Sequence, residues 1–123
     1  MIFYNILKFD LTNNQEPSRL GLPMAFEVSY RDESLEQLER DPKYTAGHSE
    51  AVVKAFRKRM WFIRNAVDER DLRETKGNYF EKLKGAREHQ HSMRLNDQWR
   101  LIIEIEGKGT NKKLVVVGIE DYH

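Results

Sequence analysis

The chain has 123 residues, of which 39% are hydrophobic and 33% charged, and its formal net charge at pH 7 is +1. This length suits one domain, and this composition excludes a disordered chain and a membrane-inserted one. The absence of cysteine excludes disulfides and thiolate metal sites. Since the sequence has neither a long apolar run nor a signal peptide, we expect a cytoplasmic protein with no membrane partner.

The charge is distributed unevenly along the chain. Residues 1–50 carry 5 basic and 9 acidic side chains, residues 51–100 carry 13 and 7, and residues 101–123 carry 3 and 4. The basic middle part indicates a local surface for a polyanion. An amphipathic helix with a solvated basic face explains the same counts, so charge alone does not decide between the two.

The first part of the chain ends in polar, proline-containing stretches. Residues 13–19 and 21–23 have the composition of a loop, and an alternating segment begins at Met24. We therefore expect a compact domain over residues 24–123. Residues 1–23 would precede it as an extension or an edge strand.

Two helices are predicted next. Ser34 and Gln37 have the spacing of a capping box at the start of a short helix. A longer helix follows, with Ser49 as its N-cap and one apolar stripe along its length. The stripe consists of Val52, Phe56, Met60, Ile63 and Val67. Trp61 and Phe62 widen the apolar arc, which indicates burial against a sheet.

The remainder of the chain is predicted to be rich in strands. Residues 68–78 are charged and are interpreted as a loop or a frayed helix end. Alternation then predicts strands over residues 89–95 and 99–105. A turn over residues 107–111 leads to a β-branched strand over residues 114–119.

The register of the first predicted hairpin can be argued from side-chain chemistry. A two-residue loop would place Arg94 across from Trp99, which puts a cation on the apolar face. A loop of three residues, 96–98, instead pairs Arg94 with Arg100 and leaves one face wholly apolar. We therefore prefer the longer loop. Two facing arginines repel each other unless an anion lies between them, so their face is a candidate phosphate site.

Few residues suggest cofactor chemistry. His89 and His91 lie two apart on a predicted strand without a third ligand at a recognised spacing, so we interpret both as structural and expect no metal and no cofactor. Lysine, arginine, tyrosine and histidine suffice for RNA cleavage, because the 2′-hydroxyl supplies the nucleophile and the protein moves protons and stabilises charge on phosphorus. His123 can exchange a proton near neutral pH; a frayed tail is the alternative interpretation.

Three motifs in order resemble a known family. They are Phe-Glu-Lys-Leu-Lys-Gly at residues 80–85, Ser-Met-Arg-Leu-Asn-Asp-Gln-Trp-Arg-Leu at 92–101, and the terminal Asp-Tyr-His at 121–123. Together they resemble the HigB-type toxins of the RelE/ParE superfamily, the plasmid maintenance killer group, over residues 24–123. The resemblance implies an α+β fold, with two helices packed on a twisted antiparallel sheet. It also implies an endoribonuclease that cuts mRNA in the ribosomal A site.

The resemblance further implies a partner and a set of site residues. The partner is a HigA-like helix-turn-helix antitoxin, and operator DNA is contacted only through it. Carried over by position, the catalytic residues are Lys84, Arg100, Tyr122 and His123. The residues that bind the message are Glu81, Lys82, Arg94 and Gln98.

The resemblance also suggests a role for each catalytic residue. His123 would be the general acid or base, Arg100 and Lys84 would stabilise charge on phosphorus, and Tyr122 would stack on a base or assist proton transfer. Some relatives have a histidine where this chain has Glu81, which leaves the second proton-transfer group open. Glu81 is either that base or an ordinary exposed carboxylate.

Two other functions remain open from the sequence. A gyrase-directed toxin of the same superfamily shares the fold but lacks the cluster of lysine, arginine, tyrosine and histidine. A non-catalytic module that binds the antitoxin is the third interpretation.

Overall fold

The computed structural model describes residues 26–107 and 112–122. Within them the chain forms three helices, α1 (Glu33–Arg40), α2 (Glu50–Asn65) and α3 (Glu69–Glu74). It also forms five strands, β1 (Glu27–Tyr30), β2 (Glu81–Lys82), β3 (Gln90–Arg94), β4 (Trp99–Glu106) and β5 (Lys113–Asp121). The predicted extension over residues 1–23, most of the predicted turn at 107–111, and His123 lie outside the described residues.

The five strands form one sheet in the order β1-β5-β4-β3-β2. Strands β2 to β5 pair antiparallel, whereas β1 pairs parallel with β5. A parallel pair needs a long crossover connection, which the helices and the other three strands supply here. The α+β prediction is confirmed, and the structure adds a third helix and one parallel strand pair.

Helix α1 begins earlier than the capping-box spacing predicts. The Asp32 carboxylate, rather than the Ser34 hydroxyl, caps the helix, and its Oδ1 accepts the Ser34 backbone N–H at 2.8 Å. This hydrogen bond lowers the pKa of Asp32. The predicted Ser34 cap is therefore wrong, because an equally good cap residue stands two positions before it. The helix ends at Arg40, because the following Asp41 precedes a proline and is therefore disfavoured in the helical region.

Helix α2 has the predicted cap and most of the predicted stripe. The Ser49 hydroxyl accepts the Val52 backbone N–H at 3.2 Å, and four stripe residues are buried: Val52, Phe56, Met60 and Ile63. The predicted burial of Val67 and Trp61 is wrong, since these side chains are 54% and 59% exposed. Val67 lies beyond the helix end at Asn65, and Trp61 points about 100° away from its neighbour Met60 on the stripe.

The charged stretch over residues 68–78 contains helix α3. The Asp68 carboxylate caps this helix by accepting the Arg70 backbone N–H at 2.9 Å. Leu72 is its one buried residue. A single apolar anchor gives no periodic pattern, which is why the sequence suggests a loop or a frayed helix end.

The helices cover one face of the sheet. Apolar residues of α1, α2 and α3 pack with Met93, Leu101, Ile103, Leu114 and Val116 from the three central strands. The alternation predicted for β3 and β4 is confirmed by Met93, Leu101 and Ile103, which all lie on the core face. The other face of the sheet, called the outer face below, carries Arg94 and Arg100.

Candidate functional site

The β3–β4 hairpin brings two arginines together on the outer face. Arg94 and Arg100 occupy directly opposite positions, next to the pair formed by Met93 and Leu101. The Leu95 backbone N–H donates to the Trp99 carbonyl at 3.0 Å and closes the hairpin. The predicted register is therefore confirmed, and both guanidinium groups project from one face because opposite residues of an antiparallel pair share a face.

Local hydrogen bonds orient each guanidinium. Arg94 Nη2 forms an ion pair with the Asp97 carboxylate in the hairpin loop. Arg100 Nη1 donates to the carbonyl oxygens of Asn96 at 2.6 Å and Trp99 at 3.2 Å. The loop thus holds two like charges side by side at the end of the sheet.

Each of the two arginines also lies over a tyrosine ring. The guanidinium carbon of Arg94 is 5.2 Å from the centroid of Tyr79, and that of Arg100 is 4.0 Å from the centroid of Tyr122. The tyrosines are 54% and 57% exposed, respectively. Two cations and two accessible aromatic surfaces therefore share this part of the outer face.

The end of β5 is tied to the hairpin loop. Gln98 Nε2 donates to Asp121 Oδ2 at 3.0 Å, and the Gln98 carbonyl accepts the Tyr122 backbone N–H. Asp121 is also directly opposite Trp99. These bonds fix Tyr122 beside Arg100. Gln98 thus anchors the end of the chain, and its contact with the message stays a prediction.

The segment after β2 approaches the same site. Lys84 is exposed and precedes the 3-10 turn Gly85–Arg87. Arg87 Nη2 donates to Glu120 Oε2 at 2.9 Å, and Glu120 lies directly opposite Arg100. The turn that carries Lys84 is thereby attached to the strand position facing Arg100.

The short strand β2 divides its two predicted site residues between the faces. Glu81 pairs with Ser92, and Lys82 pairs with His91. Ser92 shares the outer face with Arg94, so Glu81 lies on the face of the arginine pair. Lys82 lies on the helix side with His91. The structure therefore brings Glu81, but not Lys82, to the face of the arginine pair, and the RNA contacts of both stay predictions.

A chain of four hydrogen bonds crosses the outer face. Arg31 Nη2 and Gln90 Nε2 each donate to the Glu104 carboxylate at 2.8 Å, Arg87 Nε donates to Gln90 Oε1 at 2.8 Å, and Arg87 also holds Glu120. The hydrogen bond from Gln90, supported by Arg31, lowers the pKa of Glu104 although burial opposes this. Glu104 therefore stays ionised and fixes Arg87 through Gln90.

Arg59 of α2 supports the site from the helix side. Its side chain is buried, with Nε donating to the Arg94 carbonyl at 2.8 Å and Nη2 donating to the Gly77 carbonyl at 2.7 Å. Burial, and then the charge of Arg94, lowers the pKa of Arg59. Sequence reasoning missed this residue; the available signal is its place between Phe56 and Met60 on the buried side of an amphipathic helix.

The two histidines of the predicted strand lie in different environments. His91 stacks on Phe80 with ring centroids 4.7 Å apart, and its Nδ1 is buried with no hydrogen-bond partner among the described residues. Burial lowers the pKa of His91. His89 Nε2 lies 3.5 Å from Glu104 Oε2. Over residues 26–107 and 112–122, no cluster of three or more His, Cys, Asp or Glu has the geometry of a metal site.

The helices of the described part are all too short or too polar to cross a bilayer.

Comparisons with known proteins agree with the fold. The sequence model of a family described as RelE-like toxin of type II toxin-antitoxin system HigB matches residues 28–123. No curated protein sequence compared with the chain matches it.

Two solved structures resemble the chain. The YoeB/ParE toxin from Agrobacterium tumefaciens matches with a TM-score of 0.52 and 17% identity, over 80% of this chain and 100% of that one. The YoeB-YefM complex from Staphylococcus aureus matches with a TM-score of 0.47 and 16% identity, over 80% and 97%. At such identities, the first likeness shows a common fold.

Proposed function

Because the chain belongs to the HigB family of RelE-like toxins from type II toxin-antitoxin systems, we propose that it is a ribosome-dependent endoribonuclease that cuts mRNA and thereby inhibits translation. The observation that carries this proposal is the direct pairing of Arg94 with Arg100 on one face, each beside an exposed tyrosine. Such a face offers charge to a phosphate and ring surfaces to bases.

The proposed reaction is an internal transesterification. The 2′-oxygen of the RNA loses its proton to a base and attacks the adjacent phosphorus, and the bond from phosphorus to the 5′-oxygen breaks. The leaving 5′-oxygen takes a proton from an acid, which yields a 2′,3′-cyclic phosphate and a 5′-hydroxyl end. The nucleophile belongs to the substrate, so the protein supplies proton transfer and charge stabilisation.

Arg100 is proposed to stabilise the charge that develops on phosphorus. Among the described residues, its hydrogen bonds to Asn96 and Trp99 both use Nη1, so Nε and Nη2 remain as donors toward a phosphate. Lys84 would add a second cation from the turn that Arg87 attaches to Glu120. Bonds already made to the protein orient the donors before the substrate arrives, which is the basis of electrostatic preorganisation.

His123 is proposed as one proton-transfer group. It directly follows Tyr122, whose backbone is bound to Gln98 beside Arg100. Glu81, on the same face as the arginine pair, is the candidate for the second group. Tyr122 is proposed to stack on a base, because its exposed ring already lies against the Arg100 guanidinium.

The remaining partners follow from the family. We propose that a HigA-like helix-turn-helix antitoxin neutralises the toxin and that operator DNA is bound only through the antitoxin. Arg94 and Gln98 are proposed to orient the message, and a contact of Lys82 from the other face of the sheet stays a prediction. The site of action is the translating ribosome in the cytoplasm.

Induced expression tests the proposal. Wild-type protein should stop growth with mRNA cuts that depend on translation, and His123→Ala and Arg100→Ala should remove both effects. Arg40→Ala is the matched control, since Arg40 is an exposed arginine paired with Glu36 on α1. DNA breaks with intact mRNA would indicate a gyrase-directed toxin instead. Normal growth under wild-type expression would indicate a binding module.

A further inference from the structure

Tyr79 combines a strained backbone with an exposed ring. Its φ of 46° and ψ of 53° place it in the left-handed region, which is rare for a bulky residue. More than half of the side chain is exposed, at 54%. Core packing therefore does not account for an aromatic residue at a position where glycine or asparagine would be less strained.

The neighbouring chain holds Tyr79 in this conformation. Asn78 is fully buried and its Nδ2 donates to the Leu72 carbonyl at 3.1 Å. Arg59 binds the Gly77 carbonyl at 2.7 Å, and the Tyr79 backbone N–H donates to the Lys76 carbonyl at 3.3 Å. The ring is thus presented to solvent from a well-fixed loop.

Tyr79 completes a row of four side chains on the outer face. Its ring lies 5.2 Å from the Arg94 guanidinium, Arg94 is directly opposite Arg100, and Arg100 lies 4.0 Å from the Tyr122 ring. The order is tyrosine, arginine, arginine, tyrosine. Single-stranded RNA presents bases on either side of a phosphate, which matches two aromatic rings that flank two cations.

We propose that Tyr79 is a second base-stacking residue, which binds the nucleotide on the far side of the scissile phosphate from the one that stacks on Tyr122. This inference rests on the proposed function. Stacking is tolerant of base identity, so Tyr79 accepts any base at its nucleotide.

Two variants separate stacking from a structural role. Tyr79→Asn removes the ring and suits the left-handed backbone, so we expect a Tm no lower than that of wild type with cleavage on purified ribosomes about 10- to 100-fold slower. Tyr79→Phe keeps the ring and should restore most of the rate. Trp61→Leu is the control for loss of an exposed aromatic elsewhere, and it should cleave like wild type.

Crosslinking provides a readout without catalysis. The ribosomes carry an mRNA whose A-site codon has 2′-O-methyl groups, which block the nucleophile and so prevent cleavage. In a series of such mRNAs, 5-iodouridine replaces one nucleotide of the codon at a time as the crosslinking probe. We expect ultraviolet light to join one position to the peptide that contains Tyr79 and a different position to the peptide that contains Tyr122.

The outcomes distinguish this inference from the proposed function. Wild-type cleavage with crosslinks at Tyr122 alone, or full cleavage by Tyr79→Asn, would overturn the stacking role and leave the endoribonuclease intact. A Tyr79→Asn protein that loses only antitoxin binding would assign Tyr79 to a protein interface and also overturn it. If the wild-type protein shows no cleavage and no crosslink, both the stacking role of Tyr79 and the proposed endoribonuclease function are overturned.

Discussion

Arg94 and Arg100 face each other directly across the β3–β4 hairpin, and each guanidinium lies over a different exposed tyrosine. Like charges at opposite positions of a sheet destabilise it. The fold maintains the pair through Asp97 and the loop carbonyls. A phosphate beside the pair would relieve the repulsion, so we interpret it as a substrate site.

Arg100 is expected to be essential for cleavage. Removing one preoriented donor from a developing oxyanion typically slows catalysis by about 100- to 1,000-fold, and we expect that loss for Arg100→Ala. Single-turnover cleavage of mRNA on purified ribosomes measures it, with Arg40→Ala as the control. A folded Arg100→Ala protein that cleaves at the wild-type rate would remove Arg100 from the mechanism.

Tyr122 is expected to act through its ring rather than its hydroxyl. The ring face already lies 4.0 Å from the Arg100 guanidinium carbon, so Tyr122→Phe should cleave within about 5-fold of wild type. Tyr122→Ala should be about 10- to 100-fold slower, since it loses the stack. The same assay measures both variants. The reverse result, a large loss in Tyr122→Phe, would favour proton transfer by the hydroxyl.

Arg59 is expected to stabilise the fold. Arg59→Met keeps the apolar stem but removes charge-assisted bonds to the Arg94 and Gly77 carbonyls. We expect the free energy of unfolding in urea to fall by about 2 kcal/mol. Lys58→Met, at the exposed neighbouring position, should change it by less than about 0.5 kcal/mol. Equal stabilities for the two variants would show that the buried bonds contribute little.

His91 is expected to make the fold less stable in mild acid. Burial against Phe80 lowers the pKa of His91 in the folded protein, with Arg73 and Lys82 acting in the same direction and Glu69 opposing. The unfolded chain therefore takes up a proton first, and stability is lost as the pH falls below about 6.5.

His91→Phe isolates this effect. The variant also removes the buried Nδ1 that has no partner among the described residues, so we expect it to be at least as stable as wild type at pH 7. Urea unfolding at a series of pH values between about 7.5 and 5 should show a shallower decline for the variant. Parallel curves for the two proteins would contradict the assignment.

Periodic patterns predicted much of the fold. The stripe of α2 and the alternation of the strands follow directly from burial on one face. The pairing of Arg94 with Arg100 follows because a slip by one residue would place a cation among the apolar side chains.

Other features depend on contacts between distant parts of the chain. Arg59 binds a carbonyl 35 positions away, and Arg31 binds a carboxylate 73 positions away. Neither bond leaves a local pattern in the sequence. The left-handed conformation of Tyr79 also leaves no local pattern in the sequence, because the loop around it is fixed by the buried Asn78 and by Arg59. Helix α3 is predicted only as a loop or a frayed helix end, because it has a single buried apolar residue, Leu72.

The most direct test of the central claim is to map the 5′ ends of mRNA fragments on translating ribosomes, with wild-type protein beside His123→Ala and Arg40→Ala. We expect new 5′-hydroxyl ends within A-site codons for wild type and Arg40→Ala, no such ends for His123→Ala, and none when ribosomes are omitted. Growth arrest by wild type with intact mRNA, or undiminished cleavage by His123→Ala, would contradict it.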